Sequence, residues 1–193
     1  MKPILILLII LILLVGGCAS QNQQSSNIKN AEPAQIGKNE TIMPLKISST
    51  AFENNGEIPS FYTCDESNVS PPLKFEGVPE KAKSLVLIMD DPDAVKPVGK
   101  VWDHWVVFNI PPETKGAVEG RDPEGTMGLN SRNNLTYGGP CPPDGEHRYF
   151  FRLYALDTKL KLKEGATKAE VLKAVEGHII EKAELIGKYK RIS

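Results

Sequence analysis

Apolar and polar positions divide the chain into an apolar start, a polar stretch and a region of short apolar runs. The first run extends from Ile4 to Val15, and residues 19–41 are almost wholly polar. The later runs either alternate with polar residues or are continuously apolar, which is typical of half-buried and fully buried strands. These runs predict strands over 45–49, 73–75, 84–89, 102–110 and 149–156.

The predicted strand over 102–110 carries most of the candidate chemistry on an alternating pattern. Side chains of a regular strand point to opposite faces in turn. One predicted face therefore holds Trp102, His104, Val106, Phe108 and Ile110, and the other holds Asp103, Trp105, Val107 and Asn109.

A helical period appears only near the C-terminus. Thr167 and Glu170 have the spacing of a capping box, and Gly187 can end a helix. Between them, apolar residues recur at helical spacing: Leu172, Val175, Ile179, Ala183 and Ile186. His178 falls within this predicted helix and is interpreted as structural. Several strands and one closing helix predict a mostly β fold, an antiparallel β-sandwich with a C-terminal helix at its side.

The apolar start has the pattern of an export signal. Lys2 provides a basic n-region, and the apolar run is too short to span a bilayer comfortably. Gly16, Gly17 and Cys18 follow and resemble a bacterial lipobox, which predicts cleavage before Cys18 and lipidation of its thiol. An uncleaved N-terminal anchor is the alternative. Either one predicts a domain outside the cytoplasm, on the outer side of the membrane or facing the periplasm.

The pattern therefore predicts three segments: a lipoprotein signal peptide over 1–17, a polar flexible tether over 18–41 and one folded domain over 42–193. The tether is rich in Gln, Asn and Ser and cannot bury enough apolar surface to order itself. The domain is long enough for a sizeable core. A formal net charge of −1 and the lack of a basic stripe argue against a nucleic-acid partner.

Candidate functional residues cluster in three separate segments. Asp91 and Asp93 follow the continuous apolar run at 84–89. A Gly- and Pro-rich connection between 111 and 147 is long enough to be functional. It leads into a strand where His147 and Tyr149 share a face, and Arg148 points the other way, towards a loop or a carboxylate.

These segments resemble the phosphatidylethanolamine-binding protein (PEBP) family, and in particular its bacterial and archaeal branch of Raf kinase inhibitor-like proteins. The matching motifs are Asp-Pro-Asp-Ala at 91–94, Trp-Asp-His-Trp-Val-Val at 102–107 and Gly-Pro-Cys-Pro-Pro-Asp-Gly-Glu-His-Arg-Tyr at 139–149. The resemblance extends from about Leu45 to the C-terminus. Val95 departs from it, since the family usually has Pro there.

The resemblance implies a PEBP-like sandwich and a pocket for phosphate-type groups, including phospholipid head groups. The implied ligand-binding residues are Asp91, Trp102, His104, Gly139, Pro140, His147 and Tyr149, and Asp93 is added as the second carboxylate of its motif. A carboxylate bound to imidazole favours the protonated ring, which can donate to an anion. We therefore expect His104 and His147 to donate and Asp91 to orient a ring.

Other site classes are less well supported by the residues. The sequence has neither an i, i+4 His pair nor a Cys/His cluster of the kind that binds zinc. The sequence also lacks the G-x-S-x-G motif of many hydrolases. Cys141 is a poor candidate for a nucleophile because it lies between prolines. We expect no metal, no cofactor and no catalysis. Cys64 and Cys141 are left as a possible disulfide or as two free thiols, because sequence does not show how close they lie.

Two functions are consistent with these features. The first is a lipid-anchored binding protein that holds a small anion or a phospholipid head group. The alternative is a protein-binding inhibitor, of a protease for example, which acts through the long 111–147 loop.

Overall fold

The computed structural model of the chain describes residues 43–191. The predicted signal peptide, Cys18 and the predicted tether lie outside the described residues. The strands are β1 (Lys46–Ser49), β2 (Gly56–Glu57), β3 (Leu73–Glu76), β4 (Ser84–Asp91), β5 (Trp102–Ile110), β6 (Gly116–Ala117), β7 (Thr126–Met127), β8 (Glu146–Leu156) and β9 (Ile179–Lys190). The helices are α1 (Val95–Val98) and α2 (Lys168–Val175).

Two sheets form the domain. The smaller has the order β1-β3-β6, and the larger has the order β2-β9-β8-β4-β5-β7. Neighbouring strands are antiparallel, except that β2 pairs with β9 in parallel. The predicted mostly β, antiparallel sandwich is therefore confirmed.

Strand β4 lies at the centre of the packing. All eight of its residues are buried, as its continuous apolar sequence predicts. Leu85, Leu87 and Met89 join the core between the two sheets. Val86 and Ile88 join a second core beneath α2. Each such side chain stabilises the fold by about 1.5–3 kcal/mol on burial, so β4 is a rigid base for the residues at its end.

The predicted C-terminal helix begins where expected but is much shorter. Thr167 and Glu170 form the capping box, and the helix ends at Val175. Gly177 then adopts a φ of 78°, which is unfavourable for residues with a Cβ. The prediction of helix as far as residue 186 is wrong, because strand β9 occupies this segment. Strand pairing with β8 along the whole of β9 outweighs the helical spacing.

His178, which precedes β9, and Gly187, which lies within it, are not part of a helix as predicted. His178 is exposed and hydrogen-bonds Asp157 on the surface. Gly187 does not end a helix. A Cβ there would lie 2.4 Å from Cγ1 of Ile58, so Gly187 is a point of close packing within the core.

The predicted faces of β5 are correct only in part: Trp105 and Val107 share one side and Val106 and Phe108 the other, but two bulges interrupt the alternation towards the ends of the strand. Trp105 lies opposite Met89 and Asp103 opposite Asp90, which leaves His104 as the extra residue of a bulge. A second irregularity falls near Asn109, whose φ is 56°. As a result Trp105, Val107 and Ile110 pack between the sheets, whereas Val106 and Phe108 pack under α2.

The connection between β5 and β8 is ordered and covers the edge of β5. Backbone hydrogen bonds run from Gly128 to Val106, from Ser131 to Asp103 and from Gly138 to His104. Strands β6 and β7 within it join one sheet each. Within residues 43–191, no helix has the length and apolar character needed to cross a membrane.

Candidate binding site

A cavity of about 180 Å³ opens beside the Gly/Pro-rich loop, at the point where β4 ends and β5 begins. Its polar wall is formed by Asp91, Trp102, His104 and Arg132. Ala94, Val98, Cys141 and Pro143 provide the apolar part. A few polar groups among apolar ones are the usual lining of a ligand site, and the volume of this cavity suits only a small group.

The local irregularities of β4 and β5 explain why these polar groups meet. Asp91 is the last residue of β4 and pairs with Trp102, the first residue of β5. The bulge at His104 places its side chain on the same side as Trp105, because both residues of a bulge can project to one face. Asp91, Trp102 and His104 therefore line one cavity.

A chain of hydrogen bonds fixes Asp91 within the wall. Its Oδ1 accepts from the backbone N–H of Ala94 at 3.1 Å, and its Oδ2 pairs with Nδ1 of His147 at 2.7 Å. The second nitrogen of His147, Nε2, lies 3.2 Å from Oδ1 of Asp144. Both Asp91 and His147 are buried, whereas Asp144 is exposed.

The electrostatics of this triad favour a proton on the ring. Burial lowers the pKa of His147, but the two carboxylates outweigh burial and raise that pKa overall. Burial raises the pKa of Asp91, against the hydrogen bond from His147. Because two carboxylates flank the ring, His147 donates to both. Its two N–H groups are therefore occupied, and His147 does not reach the cavity as a free donor.

His104 presents a different character to the cavity. Its Nδ1 lies 2.5 Å from the carbonyl oxygen of Gly138, and a carbonyl can only accept, so Nδ1 carries the hydrogen. Burial lowers the pKa of His104 to about 4, so the ring is neutral at neutral pH. The free Nε2 of such a ring can only accept. The expected positive donor is thus a neutral acceptor in this structure.

Tyr149 supports the wall from behind. Its ring packs edge-on against His104, with the ring centroids 5.2 Å apart. The residue is fully buried, and its Oη has no hydrogen-bond partner among residues 43–191. Tyr149 does not itself line the cavity, so its contact with His104 is its link to the site.

Gly139 and Pro140 hold the loop and do not line the cavity. The N–H of Gly139 donates to Oδ1 of Asn68, and the carbonyl of Pro140 accepts from Cys64. A Cβ on Gly139 would lie 2.5 Å from the carbonyl oxygen of Tyr62, so only glycine fits there.

The two cysteines next to this loop are joined. Cys64 and Cys141 form a disulfide with their Cα atoms 5.4 Å apart. Since Cys141 lines the cavity, the bond fixes one wall directly to the turn at 63–68. The sequence left this pairing open because the distance between the two segments depends on the fold.

Asp93 lies away from the cavity. Its carboxylate receives three hydrogen bonds from Arg148, one from the backbone and two from the guanidinium. This pairing lowers the pKa of Asp93. The structure thus places Arg148 on a carboxylate, as its position opposite His147 predicts, and uses Asp93 to hold α1 against β8.

Arg132 is the polar residue of the cavity lining that sequence reasoning missed, together with the apolar Ala94, Val98 and Pro143. The buried amide of Asn130 accepts from the backbone N–H groups of Arg132 and Asn134 and donates to the carbonyl of Thr136. This hub fixes the turn that holds Arg132, an exposed residue, in the lining of the cavity. The sequence offers only an arginine in an Asn-rich stretch of a long connection, and its position depends on folding. In the described part of the chain, no group of three His, Cys, Asp or Glu residues could hold a metal ion.

Comparisons with known proteins agree with this architecture. The family model described as phosphatidylethanolamine-binding protein matches residues 48–190. A UPF0098 protein of Methanothermobacter thermautotrophicus is 56% identical over 153 residues, which is 76% of this chain and 99% of that protein. A UPF0098 protein of Pyrococcus horikoshii is 47% identical over 166 residues, 81% of each chain.

Solved structures show the same fold. A phosphatidylethanolamine-binding protein homologue from Chlamydia trachomatis superposes with a TM-score of 0.73 at 44% identity, and the match covers 77% of this chain and 99% of that one. YbcL of E. coli, described as a member of the mammalian PEBP family, gives a TM-score of 0.71 at 29% identity and covers 78% and 100%. With most of the folded region matched in sequence and in structure, the chain belongs to the phosphatidylethanolamine-binding protein family.

Proposed function

We propose that this protein is a non-catalytic binding protein which holds a phosphate-type anion or a phospholipid head group in the cavity at the ends of β4 and β5. The observation that supports it most is the cavity itself, where the buried polar residues Asp91 and His104 meet beside Trp102. Buried polar groups that converge on an opening are costly for stability and typical of ligand sites.

The state of Cys141 supports binding over catalysis. A cysteine beside a His/Asp pair can act as a nucleophile only as a thiolate. Cys141 is bonded to Cys64 and therefore provides no thiolate. His147 is held by two carboxylates, so it is occupied as a base as well.

Calorimetric titration of the full chain, purified in a non-ionic detergent, tests the proposal. The ligands are inorganic phosphate and phosphoethanolamine, and the variants are His104→Ala and Trp102→Ala, at two residues that line the cavity. We expect the wild type to bind both ligands and each variant to bind them more weakly. His178→Ala is the matched control, because this exposed histidine lies outside the cavity. Absence of binding by the wild type, or equal affinities for all four proteins, would contradict the proposal.

We also propose that the protein is exported and anchored through a lipid on Cys18. The support is the sequence alone: a basic residue, a short apolar run and a lipobox-like Val-Gly-Gly-Cys at 15–18. Cys18→Ser is expected to block processing and release the protein from the membrane fraction. Unchanged processing and partition of this variant would refute the anchor.

A protein partner, such as a protease, is the second candidate. Two exposed apolar side chains of the 111–147 connection favour it, Val118 at 66% and Leu135 at 39% exposure. Binding of such a partner should be lost in the variants Val118→Ser and Leu135→Ser but retained in His104→Ala. The opposite pattern is expected for the small-ligand function, so the two variant sets separate the candidates.

A further inference from the structure

The residues expected to attract an anion do not supply a positive charge to the cavity. Asp91, His147 and Asp144 form one hydrogen-bonded triad, in which two carboxylates and one imidazolium leave a net negative charge. His104 is neutral and donates its only hydrogen to Gly138. Of the triad only Asp91 lines the cavity, and an anion placed beside it and a neutral His104 alone would be repelled.

Arg132 is the group that can reverse this repulsion. It lines the same cavity as Asp91 and His104. Within residues 43–191, no carboxylate lies within 4.0 Å of its guanidinium. Its backbone is held by the buried amide of Asn130, so the turn is fixed before any ligand arrives. Guanidinium presents five donors in a planar fork that suits phosphate oxygens.

The hydrogen-bond acceptors that line the cavity place a second requirement on the ligand. With Nδ1 committed to Gly138, Nε2 of His104 can only accept a hydrogen bond. Asp91 is a carboxylate and also accepts. A ligand with acceptors alone would leave Nε2 of His104 without a donor and would set its oxygens against the carboxylate of Asp91, whose own oxygens already accept from Ala94 and His147.

We infer that Arg132 binds the anionic oxygens of the ligand and that His104 and Asp91 select an oxyanion which also carries a hydrogen-bond donor. Inorganic phosphate, whose dianion keeps a proton near neutral pH, and phosphoethanolamine, whose ammonium group can donate, both meet this requirement. Sulfate is a similar tetrahedral dianion without a proton and does not. The inference rests on the proposed function of this cavity and assigns its charged contact and its selectivity.

The first test is calorimetric titration of the full chain in non-ionic detergent with inorganic phosphate at pH 7. Arg132→Gln keeps a polar side chain but removes the charge, and we expect phosphate affinity to fall roughly 10- to 100-fold. Arg121→Gln is the matched control, because Arg121 is exposed and does not line the cavity. Its affinity should equal that of the wild type. An unchanged affinity of Arg132→Gln overturns the inference.

The second test replaces phosphate by sulfate under the same conditions. We expect the wild type to bind sulfate at least roughly tenfold more weakly, because sulfate cannot donate to His104 or Asp91. Equal affinities for the two ions overturn the assigned selectivity. The outcomes also separate this inference from the proposed function. A wild type that does not bind phosphate or phosphoethanolamine contradicts both, whereas binding that is insensitive to Arg132 contradicts the inference alone.

Discussion

A single hydrogen bond sets the chemical character of His104. The carbonyl of Gly138 fixes the hydrogen on Nδ1, and burial keeps the ring from taking a second one. Because a charged ring would be buried without a carboxylate in contact, acidification must either unfold the surrounding loop or admit water. His104 is therefore a group that couples the stability of the domain to pH.

The stability of the protein should fall on acidification because of His104. Its folded pKa of about 4 is lower than the unfolded value of about 6.5, so its contribution is present above the unfolded value and is lost as pH falls through the folded value. The loss should be about 2–3 kcal/mol between pH 7.5 and 4.5. Urea unfolding at these two pH values measures it.

The variant His104→Asn provides the comparison, since its amide can still donate to Gly138 but does not titrate. It should lose less stability over the same pH interval than the wild type. His178→Asn removes an exposed histidine and should retain the loss that His104 causes. An equal loss in His104→Asn and the wild type would show that another group is responsible.

The sequence predicts individual site residues only where a motif carries them. Asp91, Trp102 and His104 are found from their motifs and reach the cavity. The protonation of His104 depends on a carbonyl 34 residues away, and the role of Arg132 on a turn built by Asn130. Contacts between distant segments are properties of the fold, so no local pattern reveals them.

At the scale of the element, Asn109 joins strand β5 to the chain that precedes α2. Its φ of 56° suits asparagine or glycine. Its amide donates to the carbonyl of Leu160 at 3.0 Å and accepts from the N–H of Leu160 at 2.7 Å. The second irregularity of β5 is thus stabilised by a side chain that bonds another segment's backbone.

Two substitutions separate the backbone and side-chain contributions of Asn109. Asn109→Ala loses both hydrogen bonds and places a Cβ in the left-handed region, at a cost of about 2–3 kcal/mol. Asn109→Gly loses the same hydrogen bonds without that strain and should be more stable than the alanine variant by about 1 kcal/mol. Free energies of unfolding in urea give both values, and equal stability of the variants would refute the argument from φ.

Gly187 in β9 is expected to tolerate no side chain. In Gly187→Ala the new Cβ would meet Cγ1 of Ile58 at 2.4 Å and Cε2 of Phe52 at 2.9 Å. Overpacking of this kind costs about 1–3 kcal/mol in unfolding free energy. The double variant with Ile58→Ala should cost less than the sum of the two single variants, because the truncation makes room for the Cβ. Additive costs would contradict the proposed steric cause.

The sequence predicts which segments form strands or helices better than it predicts where each of them ends. The continuous apolar sequence of β4 has one good solution, a fully buried strand, and it was predicted. The spacing of Ile179, Ala183 and Ile186 suits a helix, although residues 179–186 form a strand. Their pairing with β8 decides the outcome, and local spacing contains no information on that partner.

At the scale of the whole molecule, the disulfide joins two segments separated by 77 positions. Closing a loop of this length stabilises the folded state by about 4 kcal/mol in the chain-entropy model. We expect the double variant Cys64→Ala, Cys141→Ala, or the wild type under reductant, to lose stability of this order in urea unfolding. Reductant should not change the double variant further. A wild-type midpoint that is the same with and without reductant would rule out the contribution.

The connection that covers β5 limits how the ligand preference of the protein can be altered. Hydrogen bonds to Val106, Asp103 and His104 occupy backbone groups that would otherwise form an open strand edge. Open edges invite pairing with other chains and aggregation. The turn that holds Arg132 in the lining of the cavity belongs to the same connection. Altering the ligand preference by remodelling this turn therefore puts solubility at risk, and point substitutions of its side chains are the safer route to new specificity.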